Sequence, residues 1–278
     1  MNEPFNKRID ILGVGVNKLT YEKVLVDILS AINFNRKLFI ITANAEALTL
    51  TQKDNKFKDI VNKADLVTAD GIGPIWAARF LNYKISKIFL RFLEVPFLAL
   101  LSLLAIIFYP PHLKKILPER VSGSDLFWEI VHRAYEMDKS VFLLGGKKGV
   151  ALKVKEKLEQ KFKGIKIAGA YAGYPEERGL VERINQTNPD ILFVAWGQPK
   201  QEKWIAKNLT KLNAKVFIGI GGTFDFVVGK VKRAPKIFQK LGIEWLWRLF
   251  QEPKRIGRVF VAVPKFIFKT IAYKIRNS

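Results

Sequence analysis

The stretch ADLVTADGIGPIWAAR at 64–79 constrains the fold most, because an apolar strand there runs directly into a carboxylate, two glycines and a new helix. Leu66 and Val67 suit a strand in a parallel sheet, while Gly71 and Gly73 permit backbone geometry that other residues resist. Asp70 then stands at a strand's carboxyl end, where open α/β sheets bind ligands. The helix opening near Pro74 aims its amides into the same crevice. On this pattern alone Asp70 is either a functional carboxylate or a plain helix cap.

The rest of the chain repeats the same unit. Apolar runs at 9–16, 38–42, 140–144, 165–170, 191–195 and 216–220 read as strands. Amphipathic segments between them read as helices: one capped by Thr20, one running from Ser124 to Met137, and others over 150–162, 176–188 and 200–208. Strands alternating with helices of this length imply βαβ units and a largely parallel sheet. The predicted fold is therefore α/β and Rossmann-like, with helices flanking the sheet over 1–240.

Two segments depart from that rhythm. Residues 88–109, IFLRFLEVPFLALLSLLAIIFY, are too apolar for an exposed loop, and the charge-free part, 95–109, is 15 residues long. A spanning helix needs roughly 20. A single crossing would also place Asp70 and everything after Pro110 on opposite sides of a bilayer. The apolar insertion, 82–117, is expected to be an interfacial or re-entrant helix, with an oligomer interface or core helix as the competing reading. The second segment, 241–278, reads as a basic, aromatic-bearing amphipathic appendage suited to an anionic membrane surface.

Charge narrows the partners. The net charge is +22, and from Lys230 onward 13 Lys and Arg face 2 Glu, so half of the excess lies in the last sixth of the chain. Such a chain meets an anionic surface or substrate. A nucleic-acid-binding protein on a Rossmann-like scaffold is the alternative, but it explains neither the apolar insertion nor the strand-end carboxylate. Cysteine is absent, and His112 and His132 stand in no metal or triad spacing. No apolar leader opens the sequence, so a cytoplasmic body is expected. The loop Gly145-Gly146-Lys147-Lys148-Gly149 lacks the GxGxxG spacing and an acidic partner, which speaks against a nicotinamide oxidoreductase. It suits a phosphate, a nucleotide sugar or a bare turn. Thr42 and Asn44 end a second strand as polar groups facing the crevice of Asp70, with helix capping an equal reading for Asn44.

Taken together, TANAEAL, ADLVTADGIGPIWAAR, LPERVSGSD, FLLGGKKGV, WGQPKQEKWI, GIGGTFDFVVGKVKRAPK and GIEWLWRLFQEPKR resemble the WecG/TagA/CpsF family of bacterial glycosyltransferases, in order from about Arg8 to Arg258. The resemblance implies an inverting enzyme at the cytoplasmic membrane face, peripheral or monotopic, that needs neither metal nor cofactor. It would move an N-acetylmannosamine-type unit from a UDP-sugar to a polyprenyl-diphosphate-linked N-acetylglucosamine, in cell-surface polysaccharide or teichoic acid synthesis. By position it makes Asp70 the general base, with Asp225 in reserve, and gives Arg120, Arg248, Arg255 and Arg258 catalytic roles. Thr42, Asn44, Gly71, Gly145, Gly146, Gln201 and Asp225 fall in the substrate pocket. The expected partners are the sugar nucleotide, the lipid-diphosphate acceptor and anionic lipid, with no nucleic acid; the exposed apolar surface also suits a homo-oligomer. The insertion and the twenty or so residues after Arg258 depart from the family pattern.

Overall fold

A computed structural model describes residues 7–85, 90–235, 238, 244, 247, 251 and 256–277, with side chains from 262 onward in the last stretch. The first strand expected over 9–16 is instead a hairpin of β1 (Arg8–Ile11) and β2 (Val14–Asn17). Leu12 and Gly13 turn the chain with φ of 60° and 76°, the left-handed pair of a two-residue hairpin. Apolar Leu12 continues the run from Ile11 toward Val14 and hides the turn, although the alternation changes phase there. Asn17 ties the hairpin to the sheet by accepting from the Val67 amide at 2.8 Å.

Six further strands, β3 (Leu38–Ala43), β4 (Leu66–Ala69), β5 (Ser140–Gly145), β6 (Lys166–Tyr171), β7 (Ile191–Ala195) and β8 (Val216–Gly219), form one sheet in the order β4-β3-β8-β7-β5-β6. Every neighbouring pair is parallel, so all six carboxyl ends lie along one edge. The fold is thus α/β and Rossmann-like. Alternate side chains feed two cores. Phe39, Ile41, Val67, Leu144, Val194 and Phe217 face one layer. Ile40, Leu66, Leu143, Phe193 and Ile218 face the other. That second layer holds α1 (Tyr21–Asn33) and α7 (Gly123–Glu136), with α8 (Val150–Lys161) and the short α11 (Thr223–Val227). The first holds α2 (Ala45–Thr51), α3 (Asn55–Lys63), α4 (Ile72–Leu81), α9 (Leu180–Gln186) and α10 (Lys200–Asn208).

Three boundaries differ from expectation. Helix α7 is capped by Ser122, whose hydroxyl accepts from the Asp125 amide, and not by Ser124, because Gly123 already has helical geometry. Helix α9 begins only after Gly179, whose φ of 72° keeps 176–179 out of the helix. Helix α11 has too little apolar periodicity to be read from five residues.

The insertion forms α5 (Arg91–Phe108), followed by α6 (Pro110–Leu113). Val95, Ala99 and Ser102, at helical spacing, are its buried stripe. The Trp76 indole of α4 donates to Ser102 Oγ at 2.9 Å. Leu98, Leu103, Ala105 and Ile106 flank the stripe half-buried, while Phe92, Leu93, Phe97, Leu100, Leu101, Leu104, Ile107 and Phe108 are exposed. Helix α12 (Ile256–Asn277) lies beside it on the same layer. Phe266, Thr270 and Lys274, four residues apart, bury one α12 face. Phe266 packs edge-on to Trp76 at 6.2 Å. Lys274 Nζ donates to the carbonyls of Leu81 and Tyr83 at 3.0 and 2.7 Å, taking up acceptors at the end of α4. The Tyr273 hydroxyl donates to Asp10 of the hairpin at 2.7 Å. The segment read as a surface appendage therefore ends as a helix with one face inside the core.

That packing is measurable. Phe266→Ala removes a ring that is 1% exposed and should cost about 3 kcal/mol or more, whereas Phe268→Ala, 72% exposed two residues away, should cost almost nothing. Urea unfolding midpoints of the two variants compare them directly; equal midpoints would mean that α12 is not part of the core.

Candidate active site

The carboxyl edge of the sheet gathers the polar residues. After β4 the backbone of Asp70 donates to the Ala43 carbonyl at 3.0 Å, so the ends of β3 and β4 stay level. Val121 then adds to the outer side of β4. Its amide donates to the Ala69 carbonyl at 2.8 Å, and its carbonyl accepts from the Thr68 hydroxyl at 3.0 Å. This pairing carries Arg120 and the amino end of α7 to the side of Asp70 across some fifty residues of sequence. The Gly123 amide completes the junction by donating to the Asp70 carboxylate. Gly123 packs closely here: a Cβ on it would stand 3.2 Å from Thr42 Oγ1, a tight contact. Thr42, Gly123 and Asp70 are thus one contact group. Gly71, with φ of 92°, opens α4 directly behind the carboxylate, a conformation that side chains resist.

Three charged side chains act on Asp70, namely Arg120, Asp125 and Glu244, and a fourth, Arg233, pairs with the two carboxylates among them. Arg120 pairs with Asp125 at 3.1 Å and also with Glu244. Arg233 pairs with Asp125, and its Nε stands 4.0 Å from Glu244. The Ser122 hydroxyl donates to Asp125 at 2.7 Å. Burial opposes ionisation of Asp125, but the bonds from Ser122 and Arg233 and the two guanidinium charges outweigh it and hold the carboxyl below its usual range. Asp70 shows the opposite balance. Burial pushes its carboxyl up to about 7; Arg120 and the Gly123 amide draw it down, while Glu244 and Asp125 push it further up. A carboxylate that exchanges its proton near neutrality is suited to proton transfer.

The other expected site residues are placed as follows. Asn44 caps α2, its side-chain oxygen accepting from the Ala47 amide at 2.9 Å. Gly145 and Gly146 hold left-handed φ of 109° and 77°. A Cβ on Gly145 would meet the Ala195 backbone at 2.8 Å, so packing requires that glycine, while at Gly146 the left-handed φ and a 3.1 Å approach to Val150 together disfavour a side chain. Gln201 is buried, with its oxygen accepting from the Gly197 and Gly221 amides at 3.0 and 3.1 Å. Its amide donates to the buried Glu202 at 2.8 Å, and burial raises that carboxyl to about 7. Gln201 thereby clamps the loops that follow β7 and β8. Asp225 lies on α11 and is not among the charges acting most strongly on Asp70. Arg248 and Arg255 lie outside the described residues. Arg258 falls on the first turn of α12, and its side chain is likewise outside them. Asp125, Arg233 and Glu244 were not expected. Each sits inside one of the signature blocks, but only its ion pairs reveal it.

Comparison with known proteins agrees with the motif resemblance. The profile described as "Glycosyl transferase WecG/TagA/CpsF family" matches residues 9–92 and 105–278. The unmatched residues, 93–104, are the middle of α5, so the departure is narrower than the expected insertion at 82–117, and the residues after Arg258, expected to depart from the family pattern, lie inside the match. Among curated proteins, the chain is 31% identical over 266 residues to an N-acetylglucosaminyldiphosphoundecaprenol N-acetyl-beta-D-mannosaminyltransferase of Staphylococcus aureus strain MRSA252, covering 94% of this chain and 91% of that protein. The proteins of the same name in strains MW2 and NCTC 8325 match at the same identity and coverage.

The raised carboxyl has a consequence for stability. Asp70 has an unfolded value near 3.8 and a folded value of about 7. Between those limits the folded state keeps a proton that the unfolded state has lost, so this group's stabilisation falls as pH rises through about 7. Asp70→Asn cannot ionise. Its melting temperature relative to the parent should be more favourable at pH 8 than at pH 5; a pH-independent difference would mean that Asp70 titrates normally.

Proposed function

The chain belongs to the WecG/TagA/CpsF family of glycosyltransferases, and from that premise we propose that it transfers an N-acetylmannosamine-type sugar from a UDP-sugar to a polyprenyl-diphosphate-linked N-acetylglucosamine, at the cytoplasmic face of the cell membrane. The product would feed a cell-surface polysaccharide or teichoic acid. The observation that carries this reading is Asp70, a carboxyl near neutrality at a strand's carboxyl end with Arg120 beside it. In the proposed step Asp70 takes the proton of the acceptor hydroxyl as its oxygen bonds to the anomeric carbon. The bond from that carbon to the diphosphate breaks, and its electron pair leaves with UDP. Arg120 offsets the charge that develops on the leaving group. With one carboxylate acting as base, a single displacement inverts the anomeric centre. The donor, the acceptor and the cytoplasmic face rest on the family and on the relatives' names together with this chemistry.

Membrane attachment has its own support. Helix α5 is the one described helix that passes for a membrane span by length and composition. At 18 residues it is about 27 Å long, slightly short of a hydrocarbon core of about 30 Å. Its stripe of Val95, Ala99 and Ser102 is committed to the protein, so the helix favours lying in the interface with its other faces in lipid. Each Leu or Phe so buried contributes about 1.5–3 kcal/mol. Basic residues near an anionic surface add about 1 kcal/mol each and are screened by salt. Apolar burial is not screened.

Two measurements follow. Purified protein with UDP-N-acetylmannosamine and a short-chain lipid-diphosphate N-acetylglucosamine should release UDP, and Asp70→Asn should lower that rate by roughly 10²- to 10⁴-fold. A normal rate in Asp70→Asn with a dead Asp225→Asn would reassign the base. Separately, replacing the exposed Leu93, Phe97, Leu100 and Leu104 with Gln leaves the buried stripe intact. That variant should leave anionic liposomes at high salt while keeping its rate on a soluble acceptor; retention at high salt would contradict the anchor.

A further inference from the structure

The ring of charges beside Asp70 contains more than a general base requires. Asp125 is a fixed brace, since it sits in the first turn of α7 and receives the Ser122 hydroxyl in addition to both guanidiniums. Glu244 approaches the same two guanidiniums, pairing with Arg120, 124 residues away in the sequence, and facing Arg233 Nε at 4.0 Å. Arg233 Nε is buried without a hydrogen-bond partner, so the fork of that guanidinium is only partly used. The side chains of Arg120, Asp125, Arg233 and Glu244 nevertheless keep between 19% and 31% of their surface exposed, so a ligand can reach them. Two adjacent guanidinium forks suit an acceptor that carries more oxygens and more charge than one carboxylate.

We propose that Arg233 and Arg120 together form a seat for a diphosphate, and that the Glu244 carboxylate fills this seat as an internal stand-in while the protein is free. Diphosphate binding then proceeds by exchange of ion-pair partners: the guanidiniums pass from Glu244 to the phosphate oxygens, while Asp125 continues to hold them in place. The reverse exchange helps expel the diphosphate product, which favours turnover where release is slow. Arg233 is on this account a binding residue of the transfer reaction, and Glu244 a competitor that weakens binding in the ground state. The ligand class rests on the transferase reading. The sugar nucleotide and the lipid acceptor both carry a diphosphate, and either can supply it.

Calorimetric titration of the full chain with UDP, with inorganic pyrophosphate and with a short-chain polyprenyl diphosphate tests the exchange. Glu244→Gln should tighten pyrophosphate by about tenfold, equivalent to about 1.4 kcal/mol, and leave uridine, which has no phosphate, unchanged. Arg233→Met should weaken it by a similar factor, and Arg233→Lys, which keeps the charge and guards against misfolding, should weaken it less. Tightening of UDP assigns the seat to the donor, and tightening of the polyprenyl diphosphate assigns it to the acceptor; either supports the seat. A second readout separates this from a purely structural role. The charges facing Asp70 are Arg120, Asp125 and Glu244, with the Gly123 amide. Glu244→Gln lifts one negative charge, so the acid limb of kcat/KM should move to lower pH. Unchanged or weakened pyrophosphate binding in Glu244→Gln would overturn the proposal. If the binding changes appear but no donor ever yields UDP, the seat stands and the transferase reading fails.

Discussion

The pairing of Val121 with the end of β4 is the contact on which the rest of the site depends. Two hydrogen bonds, from the Val121 amide to Ala69 and from the Thr68 hydroxyl to Val121, fasten the return of the chain after the insertion. Arg120 precedes that residue, and Ser122, Gly123 and Asp125 follow it. One short backbone junction therefore delivers a guanidinium, a helix cap, an amide donor and a brace to the same carboxylate. The insertion can be long without disturbing the site, because its two ends are fixed by α4 on one side and by this junction on the other.

Electrostatics at the junction works by opposition. Burial raises the Asp70 carboxyl, and Arg120 with the Gly123 amide lowers it. The balance of these effects holds it near neutrality, where it can both receive and release a proton. Asp125, a few residues away, has the same chemistry in a different setting. Hydroxyl and guanidinium donors hold it ionised, which fits a group that positions arginines and does not exchange protons.

Much of this was legible in the sequence, for physical reasons that differ by element. Parallel strands buried on both faces read as apolar runs, so β3, β5, β7 and β8 were found nearly to the residue. The glycines and carboxylate after β4 marked the crevice because few side chains tolerate that geometry. The β1–β2 turn was hidden by the apolar Leu12 inside it, and the cap of α7 was displaced by two residues because three small residues in a row, Ser122, Gly123 and Ser124, all qualify. Ion pairs carry no periodicity, so Asp125, Arg233 and Glu244 emerged only when distant segments met. Gln201, Gly145 and Gly146 stand in signature blocks, yet packing and backbone clamping suffice to require them. The basic segment at the end looked like a free surface helix because Phe266, Thr270 and Lys274 bury a face containing a lysine. The backbone carbonyls of Leu81 and Tyr83 compensate that lysine, and no sequence pattern announces it.

The apolar outside of α5 and the basic character of the chain put an apolar surface and an anion-attracting one on one molecule, which fits the proposed acceptor, half lipid and half diphosphate. The account stands or falls, however, on the protonation state of one carboxyl. A titration of the Asp70 carboxyl carbon by ¹³C NMR, assigned by its loss in Asp70→Asn, measures it directly. The structure predicts a midpoint near pH 7 that moves to higher pH when Arg120→Gln removes the neighbouring positive charge. A midpoint in the ordinary range near pH 4, unmoved by Arg120→Gln, would contradict the claim that this junction builds a general base.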